Sequence, residues 1–123
     1  MATRILIIED DFGLADNLKA LLQVKGFEVE SAADGVQGVE AARKFLPNVV
    51  LLDIMIPKLS GFDVCRTLRT DPKTQHIRII MMTGLSQMQD IEKAFSCGAV
   101  DYLTKPFESD RLIRKIEKAL AKP

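Results

Sequence analysis

The chain has 123 residues, 47% of them hydrophobic, a size that fits one domain with a single core. Its 17 basic and 17 acidic residues cancel to a formal net charge of zero, which excludes bulk electrostatic attraction to nucleic acid or an anionic membrane. Every apolar run is shorter than ten residues, too short to span a bilayer. We therefore expect one cytoplasmic domain over residues 1–123, with no direct contact with DNA or lipid.

Hydrophobic periodicity predicts five strands. In chain order they cover residues 4–8, 27–30, 49–52, 77–82 and 99–103. The second alternates apolar and charged residues, which is typical of a half-buried edge strand. The third is apolar at every position, which indicates a central strand covered on both faces.

A helical apolar pattern follows each strand. The predicted helices cover, in chain order, residues 12–25, 35–46, 62–69, about 88–95 and 109–121. Gly26 and Gly98 are expected to end the first and fourth helices. The apolar pattern continues to the helix ends and includes Leu46, Phe95, Ile113 and Leu120. Five strand–helix pairs predict an α/β fold, with a parallel sheet, right-handed crossovers and helices on both faces.

Charged residues follow three of the predicted strands at the point where each strand ends. Glu9 and Asp10 close the first strand, Asp53 closes the third, and Lys105-Pro106 follows the fifth. In an open parallel sheet these strand ends meet at the edge where ligands bind. Carboxylate oxygens are ligands that Mg²⁺ prefers, and an ammonium can neutralise a phosphoryl oxygen. The sequence therefore predicts a magnesium and phosphoryl site, with Asp10 and Asp53 as direct ligands and Glu9 acting directly or through water.

Four other polar residues are interpreted as structural. Cys65 and Cys97 lie in helical apolar patterns outside any CxxC pair, which favours small buried hydrophobes over a disulfide or metal site. His76 lies in a polar turn and is expected to be solvated. Asp11 is favoured as a solvated residue at the start of the first helix.

Four motifs at successive strand ends carry a family resemblance. They are Ile-Leu-Ile-Ile-Glu9-Asp10-Asp11, Leu-Leu-Asp53-Ile-Met55-Ile-Pro57 with Ser60-Gly61, Met-Thr83-Gly84, and Gly98-Ala-Val-Asp-Tyr102-Leu-Thr-Lys105-Pro106-Phe107. With these motifs in order, nearly the whole chain resembles the receiver domain of two-component response regulators. The resemblance implies a flavodoxin-like, doubly wound (βα)5 sheet of five strands in the order 2-1-3-4-5.

The resemblance also implies roles for individual residues. Asp53 would be the phosphoacceptor, and the backbone carbonyl of Met55 would complete the Mg²⁺ shell. Thr83 and Lys105 would each bind a phosphoryl oxygen. Gly84, without a side chain, would leave room for the phosphoryl group.

Further residues would form the switch of such a domain. The Lys105-Pro106 bond resembles the family's cis peptide, which would aim the lysine inward. Phosphorylation would draw the Thr83 hydroxyl toward the phosphoryl group and let Tyr102 turn toward the core. This movement would reshape the surface formed by the fourth helix, fifth strand and fifth helix, which an output domain or protein partner would read.

The implied partners are a sensor histidine kinase or a histidine phosphotransfer protein, with Mg²⁺ as the cofactor. Asp101, Arg111 and Lys115 offer self-complementary charges for a phosphorylation-dependent homodimer. By resemblance, Met55 and Leu85 flank the path of the hydrolytic water. Because both are bulky and apolar, we expect slow autodephosphorylation.

Two other classes share parts of this pattern. A Mg²⁺-dependent phosphatase of the haloacid-dehalogenase type also has an aspartate nucleophile, but it resembles Asp-x-Asp, and the second position here is Met55. A flavodoxin-like electron carrier needs a phosphate loop rich in glycine and hydroxyls after the first strand. This chain has three acidic residues there, which would repel phosphate.

Overall fold

The computed structural model describes residues 2–84 and 88–121, with the side chain of Met88 outside the description. Its strands are β1 (Arg4–Ile8), β2 (Glu28–Ala32), β3 (Val49–Asp53), β4 (Arg78–Thr83) and β5 (Asp101–Thr104). Its helices are α1 (Phe12–Val24), α2 (Gly35–Phe45), α3 (Gly61–Thr70), α4 (Met88–Ser96) and α5 (Ser109–Ala121). The predicted order of elements is confirmed, although β2 and β5 begin and end later than predicted. In the part of the chain that is described, no helix is long and apolar enough to cross a membrane.

The five strands form one parallel sheet in the order β2-β1-β3-β4-β5, as predicted. All five residues of β3 are buried, which confirms its central position. In the register of the sheet Asp53 lies opposite Met82, and Thr83 lies opposite Thr104. Asp53, Thr83 and the segment that leads to Lys105 therefore reach the same edge.

Two apolar layers cover the sheet, because alternate strand residues point to opposite faces. Leu6 and Ile8 pack with α2, α3 and α4 on one face. Ile5 and Ile7 pack with α1 and α5 on the other. All four side chains are fully buried, and burial of each contributes about 1.5–3 kcal/mol to the free energy of unfolding. These layers hold the strand ends in fixed relative positions.

Two side chains at the ends of predicted apolar faces lie outside the core. Leu46 is 41% exposed because it occupies the left-handed C-cap of α2, with φ of 49°, where the helical direction is lost. Phe95 is 46% exposed, and Ala94 and Cys97 occupy the buried face instead. The prediction from helical spacing was therefore wrong at Leu46, whereas Phe95 lies in α4 as predicted but outside its buried face.

The core face of α5 also differs from its predicted pattern. Ile113 and Leu120 were predicted to be buried, but both are only half-buried. The fully buried side chains of α5 are Leu112, Ile116 and Ala119. Because successive helical residues are about 100° apart, Leu120 lies at the edge of the face that these three residues bury.

The remaining structural interpretations are confirmed. Gly26 and Gly98, with φ of 95° and 107°, end α1 and α4 in a backbone conformation that favours glycine. Cys65 and Cys97 are free and buried, and the Cys65 thiol donates to the Cys97 carbonyl at 3.0 Å. Burial raises the pKa of the Cys65 thiol to about 11, which suppresses thiolate chemistry. His76 is exposed.

Candidate metal and phosphoryl site

The Lys105 ammonium lies between two carboxylates from different strands. It donates to Asp53 Oδ2 at 2.8 Å, at the end of β3, and to Glu9 Oε1, just after β1. The Lys105 backbone N–H donates to the Thr83 carbonyl at 2.7 Å, which continues the pairing of β5 with β4. The Lys105-Pro106 peptide bond is cis, as predicted.

Three carboxylates form a cluster at this edge. Glu9, Asp10 and Asp53 each offer an oxygen, and these oxygens lie within 4.8 Å of one another. Glu9 is 1% exposed and Asp53 is 6% exposed, whereas Asp10 is open to solvent. One ammonium beside three carboxylates leaves an excess of negative charge. An all-oxygen donor set of this charge, open on one side, fits a hydrated Mg²⁺ ion.

Burial changes the proton affinity of Glu9. Burial, with the neighbouring Asp53 carboxylate, raises the pKa of Glu9 to about 7, and Lys105 offsets only part of this rise. Burial opposes the charged form of Lys105, but its bonds to Asp53 and Glu9 outweigh that effect and raise the pKa of Lys105. Lys105 therefore stays cationic, while Glu9 titrates near neutral pH.

The Glu9 carboxyl makes stability depend on pH. The pKa of Glu9 is about 7 in the folded protein and 4.5 in the unfolded chain. The folded protein therefore binds the proton more tightly, and this stabilises the fold fully below pH 4.5. The stabilisation is lost as the pH rises through 7. In a metal-free buffer we therefore expect the free energy of unfolding to fall as the pH rises through this window. Urea unfolding at several pH values measures the fall. Glu9→Gln should flatten the profile and the exposed Glu40→Gln should not, and equal slopes in both variants would refute the assignment.

Close packing fixes the direction of Asp53. The Met55 backbone N–H donates to Asp53 Oδ1 at 3.0 Å, so both Asp53 oxygens have partners. A Cβ at Gly61 would lie 2.6 Å from the Asp53 carbonyl oxygen and from Ile54 Cα, so only glycine fits at the start of α3. The Met55 side chain is 67% exposed.

The other predicted site residues take different positions. Thr83 is fully buried at the end of β4. Gly84 is exposed, and a Cβ there would meet no atom of the described residues within 4 Å. The Tyr102 ring is 8% exposed, and its buried hydroxyl has no hydrogen-bond partner among the described residues. Leu85 lies outside the described residues.

Asp11 is exposed at the start of α1, as interpreted from the sequence, and it also caps this helix. Its side chain accepts from the Leu14 N–H at 3.1 Å at the N-terminus of α1. It therefore fixes the start of α1 beside the site.

Sequence reasoning missed a contact between the loop after Asp53 and the start of α2. Pro57, Lys58 and Leu59 of this loop contact Asp34 and Gly35. In the sequence, Asp34 before Gly35 is typical of a helix N-cap. The local sequence pattern does not indicate that the loop packs against these two residues.

Comparisons with known proteins identify the family. The protein-family model described as "Response regulator receiver domain" matches residues 5–117 of the chain. The chain belongs to this family. As a receiver domain of two-component response regulators, it takes part in phosphorylation-dependent signalling.

Individual relatives and a solved structure support the same family. The receiver domain is 41% identical over 117 residues to the DNA-binding dual master transcriptional regulator RpaA of Synechocystis, over 95% of this chain and 48% of that protein. It is 38% identical over 120 residues to the DNA-binding response regulator MtrA of Mycolicibacterium paratuberculosis, over 98% of this chain and 52% of that protein. A CheY-like receiver domain protein from Methanospirillum hungatei superimposes with a TM-score of 0.92 at 29% identity, over 98% and 94% of the two chains. The chain thus spans about half the length of RpaA and MtrA, the two curated relatives.

Proposed function

We propose that residues 1–123 form one cytoplasmic receiver domain that accepts a phosphoryl group on Asp53 from a sensor histidine kinase or a histidine phosphotransfer protein. The observation that supports this most is the position of Asp53. Its Oδ2 is bonded to Lys105 at 2.8 Å, and it belongs to the three-carboxylate cluster at the ligand-binding edge of the sheet.

In the proposed reaction an Asp53 carboxylate oxygen attacks the phosphorus of a phosphohistidine. The new O–P bond forms as the N–P bond breaks, and the imidazole nitrogen keeps the electron pair. The transition state is loose, so positioning and charge neutralisation provide most of the rate. Lys105 would exchange a carboxylate oxygen for a phosphoryl oxygen and neutralise part of its charge.

Asp10, Asp53 and the Met55 backbone carbonyl would hold Mg²⁺, with Glu9 bound directly or through water. When bound, the ion would supply the positive charge that brings the Asp53 carboxylate and phosphoryl oxygens together. With its pKa near 7, Glu9 would lose its proton when a cation binds beside it. Metal binding should therefore be accompanied by proton release near neutral pH.

The switch would use Thr83 and Tyr102. The Thr83 hydroxyl would bond a phosphoryl oxygen beside the open backbone of Gly84 and the backbone of Pro106. Tyr102 is already buried, so the change we propose there is in how the ring packs as Thr83 shifts, rather than a long inward swing. The output domain or partner would read the resulting α4-β5-α5 surface.

The output is a separate question. The two named relatives are DNA-binding regulators, and the chain matches about half of each. We propose that this receiver domain controls its output through an attached domain or a protein partner, not by touching nucleic acid itself. A Mg²⁺-dependent phosphatase is less well supported, since Met55 offers no carboxyl group as a general acid.

The proposal has a direct test. Incubation with acetyl phosphate and Mg²⁺ should add one phosphoryl group per chain, measured by intact mass. A chain that stays unmodified with several small phosphodonors would contradict it.

We expect beryllofluoride, a phosphoryl analogue, to promote homodimers through the α4-β5-α5 surface. Asp101 pairs with Lys115 of its own chain at 2.8 Å and would have to exchange this partner for a cation of the second copy, for which the exposed Arg111 is the candidate. Sedimentation velocity should show a dimer in wild type and in Lys44→Glu, but not in Arg111→Glu. A wild-type monomer with beryllofluoride would rule out the dimer.

We expect the aspartyl phosphate to be long-lived. Met55 offers no group that orients water, so Met55→Asn combined with Leu85→Glu should speed phosphate release by about tenfold. The exposed Val36→Asn is the control. Release is followed after the donor is removed, and an unchanged rate in the double variant would disprove this account of lifetime.

A further inference from the structure

The loop between β3 and α3 contains a strained turn. The Leu59 N–H donates to the Pro57 carbonyl at 2.9 Å, and the residue between them, Lys58, has φ of 73°. This is a γ-turn with positive φ, a rare conformation that is unfavourable for a residue with a Cβ. Such strain persists where surrounding structure holds it, and it is common beside functional sites.

The N-terminus of α2 holds this turn. The Pro57 carbonyl accepts a second hydrogen bond from the Gly35 N–H at 3.1 Å. A Cβ at Gly35 would lie 2.5 Å from Leu59 Cβ and 2.6 Å from the Leu59 carbonyl oxygen. The helix and the loop therefore touch through backbone, and no side chain fits between them.

Asp34 connects the same two elements. Its Oδ1 accepts from the Gln37 N–H at 2.8 Å and caps α2, while its Oδ2 lies 3.5 Å from Lys58 Nζ. Asp34 is 7% exposed, but the Lys58 side chain is 62% exposed, so the ion pair itself is weak. The helix cap and the close contact at Gly35 provide most of the restraint.

The other end of the loop is fixed against the site. The Gly61 N–H donates to the Ile54 carbonyl at 2.8 Å, and Met55, whose N–H bonds Asp53 Oδ1, lies between the two fixed ends. We propose that the N-terminus of α2, through Asp34 and Gly35, is a positioning element that holds the segment carrying Met55 in place for Mg²⁺. Asp34 and Gly35 are positioning residues, since neither touches the phosphoryl group. This inference rests on the metal site of the proposed function.

The test compares two alanine substitutions on one helix. Gly35→Ala pushes against Leu59 of the loop. Gly38→Ala, one turn later, pushes against Ile8 Cδ1 at 2.7 Å, in the core and away from the loop. Both should lower stability by overpacking. Only Gly35→Ala should move the amide resonances of residues 54–59 in the metal-free protein, and only it should weaken Mg²⁺ binding, by about tenfold. The Mg²⁺ affinity is taken from an NMR amide titration.

A second pair keeps the test decisive if Gly35→Ala does not fold. Asp34→Asn keeps a helix-capping oxygen and loses only the charge, so Mg²⁺ affinity should stay within about twofold of wild type. Asp34→Ala loses the cap as well and should weaken Mg²⁺ binding by about tenfold. If the Asp34 carboxylate instead acted on Mg²⁺ through its charge from a distance, Asp34→Asn would weaken Mg²⁺ binding as much as Asp34→Ala.

The outcomes are distinct. Equal Mg²⁺ affinities in the two glycine variants, or in Asp34→Ala and wild type, would overturn the positioning role and leave the proposed function intact. A wild-type chain whose Asp53 amide does not respond to Mg²⁺ would remove the metal site and this inference with it.

Discussion

Asp53→Asn should abolish phosphorylation by acetyl phosphate and phosphoramidate. An amide oxygen is not a competent nucleophile toward phosphorus, although asparagine has nearly the size of aspartate and can still bond Lys105. Intact mass and an assay for acid-labile phosphate measure the loss, and beryllofluoride should no longer change the association state. The exposed Asp16→Asn on α1 is the matched control and should retain one phosphoryl group per chain. Retention of one acid-labile phosphate in Asp53→Asn would place the phosphoacceptor elsewhere.

Mg²⁺ should raise the thermal unfolding midpoint. Glu9, Asp10 and Asp53 lie close together, and among residues 2–84 and 88–121 Lys105 is the one cation that pairs with them. A bound cation reduces the repulsion between these carboxylates in the folded chain alone. At about ten times its Kd, Mg²⁺ adds about 1.4 kcal/mol, a rise of several degrees for a domain of this size.

Variants of the cluster test the site of this effect. Asp10→Ala and Asp53→Ala should each lose most of the Mg²⁺-dependent rise, while Asp63→Ala, on the exposed face of α3, should keep it. Scans at constant ionic strength separate specific binding from screening. No rise in wild type, or an equal rise in all three variants, would contradict the proposed metal site.

The parallel sheet and the meeting of the charged residues at one edge could both be predicted from the local pattern of apolar and charged residues. A wholly apolar run at 49–52 predicted a central strand, and β3 is central. Because parallel strands end at one edge, Glu9, Asp10 and Asp53 were predicted to meet before any family was considered, and they do. The roles of Thr83 and Tyr102 came from family resemblance alone, since each is an ordinary residue in its local pattern.

What the sequence did not reveal depends on tertiary packing. Helical spacing cannot show where a helix unwinds, so Leu46 was placed in the core although it is the left-handed cap of α2. The contact of Asp34 with Lys58 joins residues far apart in the chain and has no local pattern. The raised pKa of Glu9 likewise arises from burial that only the folded chain creates.

β5 connects the phosphoryl site to Tyr102 over a short distance. Lys105 follows this edge strand directly, and Tyr102 lies three residues earlier on it, a separation of about 10 Å in extended backbone. Only β4 borders β5 within the sheet, so a small displacement of the strand needs few other contacts to rearrange. Substitutions of the buried residues of α1, Ala15, Leu18 and Leu22, should therefore change the free energy of unfolding while leaving the link between Lys105 and Tyr102 almost unchanged.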